Sequence, residues 1–291
     1  MFLYDTLSEL QQYLNSRRRL GEQIGFAPTM GALHSGHLDL IRHSKVHNAC
    51  TVCSIFVNPT QFNDPKDLEK YPRTPEKDLA MLESVGTEVV FMPPVEEIYP
   101  PGLETTLQLE LGQLDKVMEG AFRPGHFQGM AQVVKRLLDI VQPDRLYMGQ
   151  KDFQQFSIVG HMIRQLNLPV ELVMVPTVRE ADGLAMSSRN VRLSEAQRAA
   201  APVIYQTLSW AKTQLGILPI AEIEAEAMQR LSLPDFRPEY FQIVDGRTLL
   251  PVVESAEHEW IVACVASWLG EVRLIDNLEL KRQLVYTQQE Y

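Results

Sequence analysis

The sequence predicts an α/β fold, with a doubly wound parallel sheet followed by a smaller α+β domain. Apolar, β-branched segments alternate with helical patterns up to about residue 176, and the alternation stops there. The 291 residues are enough for two domains, and no internal repeat or low-complexity tract interrupts them. We therefore place the first domain at residues 1–176 and the second at residues 177–291.

The first domain begins with a helix and continues as alternating strands and helices. A capping-box pattern at Thr6–Glu9 predicts the start of a helix that ends near Arg19. Strands are predicted at 23–27, 51–57, 87–92, 145–149 and 170–175, with helices at 37–48, 75–85, 128–141 and 152–167. Because helices separate the apolar runs, the strands should be parallel and the loops at their carboxyl ends should share one crevice.

The second domain is predicted to combine one long helix with a few strands. A second capping box, Ser194–Gln197, indicates the start of a helix that continues to about Leu215. Two strand-like runs follow, at Tyr240–Val244 and Trp260–Ala266. These elements favour a small α+β unit.

Composition argues against nucleic-acid and membrane partners. The formal net charge is −10, and Arg17–Arg19 is the only densely basic segment, so a polyanionic partner is not expected. The sequence contains no run of 18 apolar residues, and Met1–Asp5 is too short and too acidic for a signal peptide. These features predict a cytoplasmic protein.

The cysteines are predicted to be structural. There are three, Cys50, Cys53 and Cys264, which is too few for a disulfide framework. Cys50 and Cys53 form a C-x-x-C within a β-branched strand, where residues three apart face opposite sides of the sheet. No second cysteine pair could complete a zinc site. We therefore expect strand-core residues and not a redox or zinc motif.

The segment Pro28–His37 is typical of a phosphate-binding turn between a strand and a helix. Gly31 and Gly36 stand where backbone must pass close to a ligand, and the helix that follows offers free N–H groups to an anion. His34 and His37 are three residues apart and should share one helix face. No Lys-Ser/Thr follows Gly36, which excludes the P-loop NTPases. Considered alone, the segment is also compatible with an ordinary turn that carries solvated histidines.

Three further loops carry candidate binding residues. Asn58 and Gln61 follow the second of the strands predicted above, and their amides could bind a hydroxy acid without adding charge. Lys151 could reach phosphates, while Asp152 could either cap a helix or contact a ribose. Two hydroxyls and a guanidinium, at 187–189, could close over the outer phosphates of a nucleotide. Each loop alone could also be an ordinary surface loop.

Two of these segments resemble the signatures of one superfamily. His34–His37 resembles the His-x-Gly-His motif of the nucleotidyl-transferring enzymes that include the class I aminoacyl-tRNA synthetases. Ala185–Asn190 is similar to their Lys-Met-Ser-Lys-Ser loop, with Arg189 in place of a lysine. The two matches occur in the expected order along the chain.

Seven ordered motifs resemble the pantothenate synthetase family, the pantoate–β-alanine ligases of coenzyme A biosynthesis. They span nearly the whole chain and read PTMGALHSGH (28–37), FVNPTQF (56–62), YPRT (71–74), RPGHF (123–127), GQKDFQQ (149–155), READGLAMSSRN (179–190) and RLIDN (273–277). Departures are mild: Gln150 stands where the family often has Glu, and Phe153 where it often has Tyr.

The resemblance implies the fold, the reaction and the partners. Family members are homodimers of a Rossmann-like domain with a smaller C-terminal lid domain. They use ATP and Mg²⁺ to condense (R)-pantoate with β-alanine through a pantoyl adenylate, and they release AMP and pyrophosphate. The resemblance thus predicts an ATP-dependent ligase.

The resemblance also implies roles for individual residues. His37 is the expected proton donor, His34 stabilises charge on the α-phosphate, and Lys151 and Arg189 neutralise the phosphates. Gln61 and Gln155 bind pantoate, Gln61 also reaches β-alanine, and Asn58 is a further substrate-site candidate. The expected ATP-binding residues are Met30, Gly31, Ala32, Leu33, His34, Ser35, Gly36, His37, Gly149, Gln150, Lys151, Asp152, Val178, Met186, Ser187, Ser188 and Arg189. A Mg²⁺ ligand is not identified; Asp64, Asp67 and Asp78 are candidates, with solvated loop charges as the alternative.

Three other classes of protein share part of this pattern. A nucleotidyltransferase that makes a dinucleotide or CDP-type product has no need for the paired glutamines. A tRNA ligase needs a basic RNA-binding surface, which the net charge of −10 disfavours. A nucleotide sensor needs neither both histidines nor the Ser-Ser-Arg loop.

Overall fold

Six parallel strands form the main sheet of the computed structural model, which describes residues 1–62, 68–69, 71–102 and 107–283. The strands are β1 (Phe2–Tyr4), β2 (Ile24–Thr29), β3 (Cys50–Ile55), β4 (Val89–Phe91), β5 (Arg145–Gly149) and β6 (Glu171–Val175). The helices between them are α1 (Leu7–Arg19), α2 (Ser35–His47), α3 (Pro75–Ser84), α4 (Val95–Ile98), α5 (Glu119–Phe122), α6 (His126–Val141) and α7 (Phe153–Gln165).

The strand order creates a crevice at the carboxyl ends of β2 and β5. The order is β1-β4-β3-β2-β5-β6, and β2 pairs in parallel with both β3 and β5. After β2 the chain moves outward to β3 and β4, and it returns to the other side of β2 at β5. The loops that leave β2 and β5 therefore diverge, which is where ligands bind in open α/β sheets. The predicted doubly wound parallel sheet is confirmed.

Apolar clusters cover both faces of this sheet. Cys50 lies in a cluster with Leu10 and Leu14 of α1, and Cys53 lies in the cluster that α2 forms on the opposite face. Both thiols are free and buried, as is that of Cys264. The prediction that these cysteines are structural and face opposite sides is confirmed.

The second part of the chain is a smaller α+β unit. Its elements are α8 (Glu195–Ala200), α9 (Val203–Gln214), α10 (Ile220–Leu231), β7 (Phe236–Asp245), β8 (Trp260–Leu269) and β9 (Val272–Arg282). The three strands form an antiparallel sheet in chain order, and helices α9 and α10 contribute to the apolar core against it. The α+β class is confirmed. The boundary at 176/177 stays a prediction; it falls one residue after β6 ends.

Helix ends account for two of the differences from the sequence-based expectations. Thr6 precedes α1, but its hydroxyl donates to the Glu9 carboxylate at 2.8 Å and accepts no hydrogen bond from a helix N–H, so the first capping box is wrong. The capping box of Ser194 and Gln197 is present. The helix after it is not continuous to Leu215, because Pro202 lacks an N–H and separates α8 from α9. The elements that were not predicted include β1, α10 and β9.

No described helix is long and apolar enough to cross a membrane.

Substituting Gly25 by Ala should destabilise the fold without touching the crevice. An added Cβ would lie 2.1 Å from Ser44 Oγ and 2.5 Å from Asn48 Nδ2. Those two residues belong to a buried network in which Ser44 bonds to Thr51 and Asn48 bonds to Tyr147. Overpacking of this kind costs about 1–3 kcal/mol. We expect urea unfolding to show a loss of that size.

The control is Gly149→Ala. No atom lies within 4 Å of the Cβ that this substitution adds, and the backbone there has φ −75°. The unfolding free energy should change little. Equal losses in the two variants would contradict the assigned packing around Gly25.

Candidate functional site

A cavity occupies the crevice, bordered by the loops after β2, β3, β5 and β6 and by the loop before the short helix Ser188–Arg192. It gathers most of the predicted site residues: Met30, His34, Gly36, His37, Asn58, Gln61, Gly149, Lys151, Asp152, Gln155, Val178, Met186, Ser187, Ser188 and Arg189. The predicted ATP residues Gly31, Ala32, Leu33, Ser35 and Gln150 do not line it. The two halves of the chain therefore both contribute to one site.

A buried carboxylate stabilises the turn after β2 through hydrogen bonds to the backbone. Asp78 is 1% exposed and accepts hydrogen bonds from the backbone N–H of Ala32 at 2.9 Å and of Leu33 at 2.8 Å. Gly31 has φ +77°, a conformation that disfavours a side chain, and a Cβ there would also meet Asp78. This geometry favours a loop-shaping role for Asp78 over a metal-binding one. Asp64 and Asp67, the other candidates, lie outside the described residues.

Both histidines use one ring nitrogen to hold the loop and leave the other for a ligand. His34 is the N-cap of α2, and its Nδ1 accepts from the Gly36 N–H at 3.2 Å. The Nδ1 of His37 accepts from the His34 N–H at 3.3 Å. An Nδ1 that accepts must be unprotonated, so each neutral ring carries its proton on Nε2. The loop thus sets the tautomer of both donors.

The same surroundings keep both rings uncharged. Burial, reinforced by the nearby Lys151 cation, lowers the pKa of His34 to about 4. Burial, His34 and Lys151 together hold the pKa of His37 well below its usual value. At neutral pH each ring therefore offers a neutral Nε2–H. For His37 this favours donation of a hydrogen bond over delivery of a proton from an imidazolium.

Asn58 fixes the loop after β3. Its Nδ2 donates to Gln61 Oε1 and to the Gly129 carbonyl, both at 3.2 Å. Its Oδ1 accepts from Thr60 and, at 3.0 Å, from the Tyr99 hydroxyl. Because both ends of this 1% exposed amide are occupied, a positioning role is favoured over direct substrate contact.

Gln61 is held in place with its amide at the cavity. Its Oε1 accepts from Asn58, and its Nε2 contacts the Met30 sulfur at 2.9 Å. The Gln155 side chain also lines the cavity, and within the described ranges it has no hydrogen-bond partner. One glutamine is therefore preorganised and the other is available to a ligand.

His126, to which the sequence analysis gave no role, stabilises the loop that carries Gln61. Arg123 Nη1 donates to its Nε2 at 3.2 Å, so the ring proton is on Nδ1 and is donated to the Gln61 carbonyl at 2.9 Å. Burial and the Arg123 charge lower its pKa to about 4. His126 thus acts as a neutral donor to backbone.

The loop after β5 contributes a cation and a carboxylate. Lys151 Nζ lies 3.8 Å from Asp152 Oδ1, and both side chains line the cavity. The backbone carbonyls of Gln150 and Lys151 each accept from Asn277 Nδ2 at 2.9 Å. Asn277, a residue of β9 in the smaller domain, therefore holds this loop in place.

The serine and arginine loop is built on a salt bridge. Ser187 caps the short helix that follows, its Oγ accepting from the Arg189 N–H at 3.2 Å. At the base of the loop, Arg179 forms a two-point pair with Asp276 at 2.6 and 3.0 Å. Sequence reasoning gave no role to Arg179, Asp276 or Asn277. Their only signal was their place in the motifs that carry the family resemblance.

A parallel sheet, two Nε2–H donors on a helix N-terminus and cationic loops from both domains together define a nucleotide-binding enzyme of the His-x-Gly-His type. Comparison with known proteins identifies which one. The family model described as pantoate-beta-alanine ligase matches residues 3–279, so the chain belongs to that family.

Named relatives support the assignment over the full length. The pantothenate synthetase of Azobacteroides pseudotrichonymphae is 48% identical, with 96% of this chain and 99% of the relative covered. That of Bacteroides thetaiotaomicron is 47% identical over 97% and 99%. The crystal structure of pantothenate synthetase from Thermus thermophilus is 46% identical, with a TM-score of 0.90 over 97% of this chain and 100% of that one.

One solved relative contains ligands. The pantoate-beta-alanine ligase of Francisella tularensis is 33% identical, with a TM-score of 0.80 over 96% of this chain and 98% of that one. Its structure is described as complexed with beta-gamma ATP and beta-alanine. This chain is accordingly a ligase of pantothenate formation.

Replacing His126 by Asn should reduce the loss in the free energy of unfolding that the protein shows as the pH falls. The pKa of His126 is about 4 in the folded chain, against about 6.5 for an unfolded histidine. Between these values the unfolded state binds the proton and the folded state does not, so the free energy of unfolding falls as pH drops from about 6.5 to 4. Asn cannot titrate, and its amide still offers a donor for the Gln61 carbonyl. We expect the variant to lose about 2–3 kcal/mol less over this range.

Urea unfolding at pH 7.5, 5.5 and 4.5 measures this difference. At pH 7.5 the ring is neutral in both states, so the gap between the two chains gives the intrinsic cost of the substitution and serves as the control. Parallel curves for the two chains would contradict a buried neutral His126.

Proposed function

We propose that this chain condenses (R)-pantoate with β-alanine to form pantothenate, using ATP and passing through a pantoyl adenylate. The single observation that carries the proposal is the content of the cavity. The two imidazole donors, Lys151 and the 187–189 loop line the same cavity as the amides of Gln61 and Gln155. A triphosphate and a hydroxyl-bearing carboxylate can therefore be held side by side.

The first step forms the adenylate. An oxygen of the pantoate carboxylate attacks the α-phosphorus of ATP, the bond from that phosphorus to the bridging oxygen breaks, and pyrophosphate leaves. Charge on the α-phosphate is met by the Nε2–H groups of His34 and His37, and charge on the outer phosphates by Lys151 and Arg189. Positioning and electrostatics supply most of the catalysis in such reactions.

The second step forms the amide. The β-alanine amine attacks the acyl carbon of the adenylate, the carbon–oxygen bond to the phosphate breaks, AMP leaves, and the nitrogen releases a proton. Gln61 borders the cavity and orients the acyl group with Gln155. No nucleophilic side chain is required, in keeping with three free and buried cysteines.

Magnesium fits this site through the nucleotide. Among the described residues no three His, Cys, Asp or Glu side chains cluster as metal ligands. Mg²⁺ commonly binds one or two carboxylates together with substrate phosphates and waters. Asp152 is the acidic residue in the described lining of the cavity, and its carboxylate is about half exposed beside Lys151. Bound there, Mg²⁺ would offset phosphate charge. The homodimer and the cytoplasmic location remain predictions from the sequence.

Pyrophosphate exchange provides the decisive experiment. Labelled pyrophosphate should enter ATP when pantoate is present and β-alanine is absent, because the first step is then reversible and complete in itself. β-Alanine should not replace pantoate in this assay. With all three substrates, AMP and not ADP should accumulate. A requirement for β-alanine in the exchange, or the release of ADP, would overturn the adenylate pathway.

Gln155→Ala should weaken the binding of pantoate much more than the binding of ATP. The Gln155 amide lines the cavity without a partner among the described residues, so its removal should leave α7 intact and deprive pantoate of a hydrogen bond. The expected cost of about 1–3 kcal/mol corresponds to a roughly 5- to 150-fold rise in the KM for pantoate. The KM for ATP should change less than about 3-fold. Steady-state kinetics of both substrates measure the two effects.

Gln206→Ala is the matched control for this substitution. Gln206 is exposed on α9 and does not line the cavity. Its replacement should leave both constants unchanged. If Gln155→Ala weakened both substrates equally, the assignment of Gln155 to pantoate would be wrong.

A further inference from the structure

Two neighbouring residues of β9, Asp276 and Asn277, contact the bases of both cationic loops of the cavity. We propose that this pair fixes the separation of Lys151 and Arg189 and is thereby a positioning device for adenylate formation. The inference rests on the proposed function, because it takes both cations to act on the phosphates of ATP. Neither residue lines the cavity that holds the histidines, and Asp276 lines a neighbouring cavity together with both cations.

The Asn277 amide fastens the Lys151 loop in one orientation. Its NH₂ group donates to two successive carbonyls, those of Gln150 and Lys151, each at 2.9 Å. Its Oδ1 is buried and has no hydrogen-bond partner in the described part of the chain. Flipping the amide would set an oxygen against two carbonyl oxygens, so the orientation is determined.

Asp276 fastens the other loop through Arg179. The carboxylate and the guanidinium form a two-point pair, and Arg179 also donates to the carbonyls of Gly183 and Asn277, each at 3.1 Å. Arg179 pairs with Ala185 across an isolated β-bridge, two residues before Ser187. The Arg179 guanidinium also stacks on the Tyr205 ring, 4.1 Å from its centroid. The root of the 187–189 loop is therefore tied to β9.

Because Asp276 and Asn277 are adjacent on one strand, their contacts fix the distance between the two loops. Successive residues of a strand point to opposite sides, so one side chain can serve each loop. Asp276 is 4% exposed and Asn277 is 2% exposed. Burial of a charge and an amide is unfavourable unless both are bonded, so their presence here is explained by these contacts. The smaller domain thus holds a cation of each domain at a set distance.

Crossed double-mutant cycles in the full chain test the proposal. Asn277→Asp replaces two donations by repulsion from the same carbonyls, and Asp276→Asn removes the charge that faces Arg179. Each is combined with Lys151→Ala and with Arg189→Ala, and the pantoate-dependent exchange of labelled pyrophosphate into ATP is measured. Residues that act through one another give non-additive effects.

The expected pattern is specific to each loop. Asn277→Asp should slow exchange about 10- to 100-fold alone but less than about 3-fold in the Lys151→Ala background, while its effect persists in the Arg189→Ala background. Asp276→Asn should show the reverse. Additive losses in all four combinations, or exchange at the wild-type rate in both single variants, would overturn the proposal.

Controls separate positioning from loss of structure. Gln242→Ala removes a half-buried amide of β7 that lines neither the cavity with the histidines nor the neighbouring one, and it should leave exchange unchanged. If thermal melts show Asn277→Asp to be unfolded, Asn277→Ser is used in the same cycle with the same expected pattern. If the wild-type chain shows no exchange, the proposed function is wrong. In that case the same double-mutant cycles are measured through the Kd for ATP. Additive effects in all four combinations would still overturn the proposal that Asp276 and Asn277 fix the separation of the two cations.

Discussion

The parallel pairing of β2 with β3 on one side and β5 on the other is the constraint on which the site depends. It separates the loops that leave β2 and β5 and opens the crevice between them. The histidine turn, the Asn58 loop and the Lys151 loop follow three adjacent strands, so the sheet brings them within reach of one ligand. Gly25, near the start of β2, allows the C-terminal end of α2 to pack close to this strand.

The site meets a highly charged ligand with few charges of its own. The histidines are kept neutral by burial and by Lys151, and they act through oriented N–H dipoles. Other guanidiniums nearby are neutralised by acids: Arg179 pairs with Asp276, and Arg273 pairs with Glu119 and Glu239. Clustered unpaired cations would repel one another in the ligand-free chain. Preoriented neutral donors avoid that cost, and N–H groups of this kind can still stabilise negative charge on phosphate oxygens.

The sequence was sufficient for most of the sheet and for the residues around the cavity, because both have local signals. Apolar runs marked five of the six strands of the main sheet, and compact motifs marked the loops. β9 was missed since Asp276 and Asn277 interrupt its apolar pattern, although both are buried. The roles of His126 and Asn277 depend on contacts with residues 65 and 126–127 positions away. Such side-chain-to-backbone bonds leave no periodic trace in the sequence.

Division of the site between two domains has a physical rationale. The N-terminal sheet supplies oriented donors that need no adjustment, since their tautomers are set by the loop they cap. Arg189 lies in the 187–189 loop, which follows the last strand of the main sheet in the chain. Its position must therefore be fixed by contacts outside that sheet. β9 provides this through two adjacent buried polar side chains, one of which reaches back to the N-terminal domain. The relative placement of the two cations is then a property of the contact between the domains and not of either domain alone.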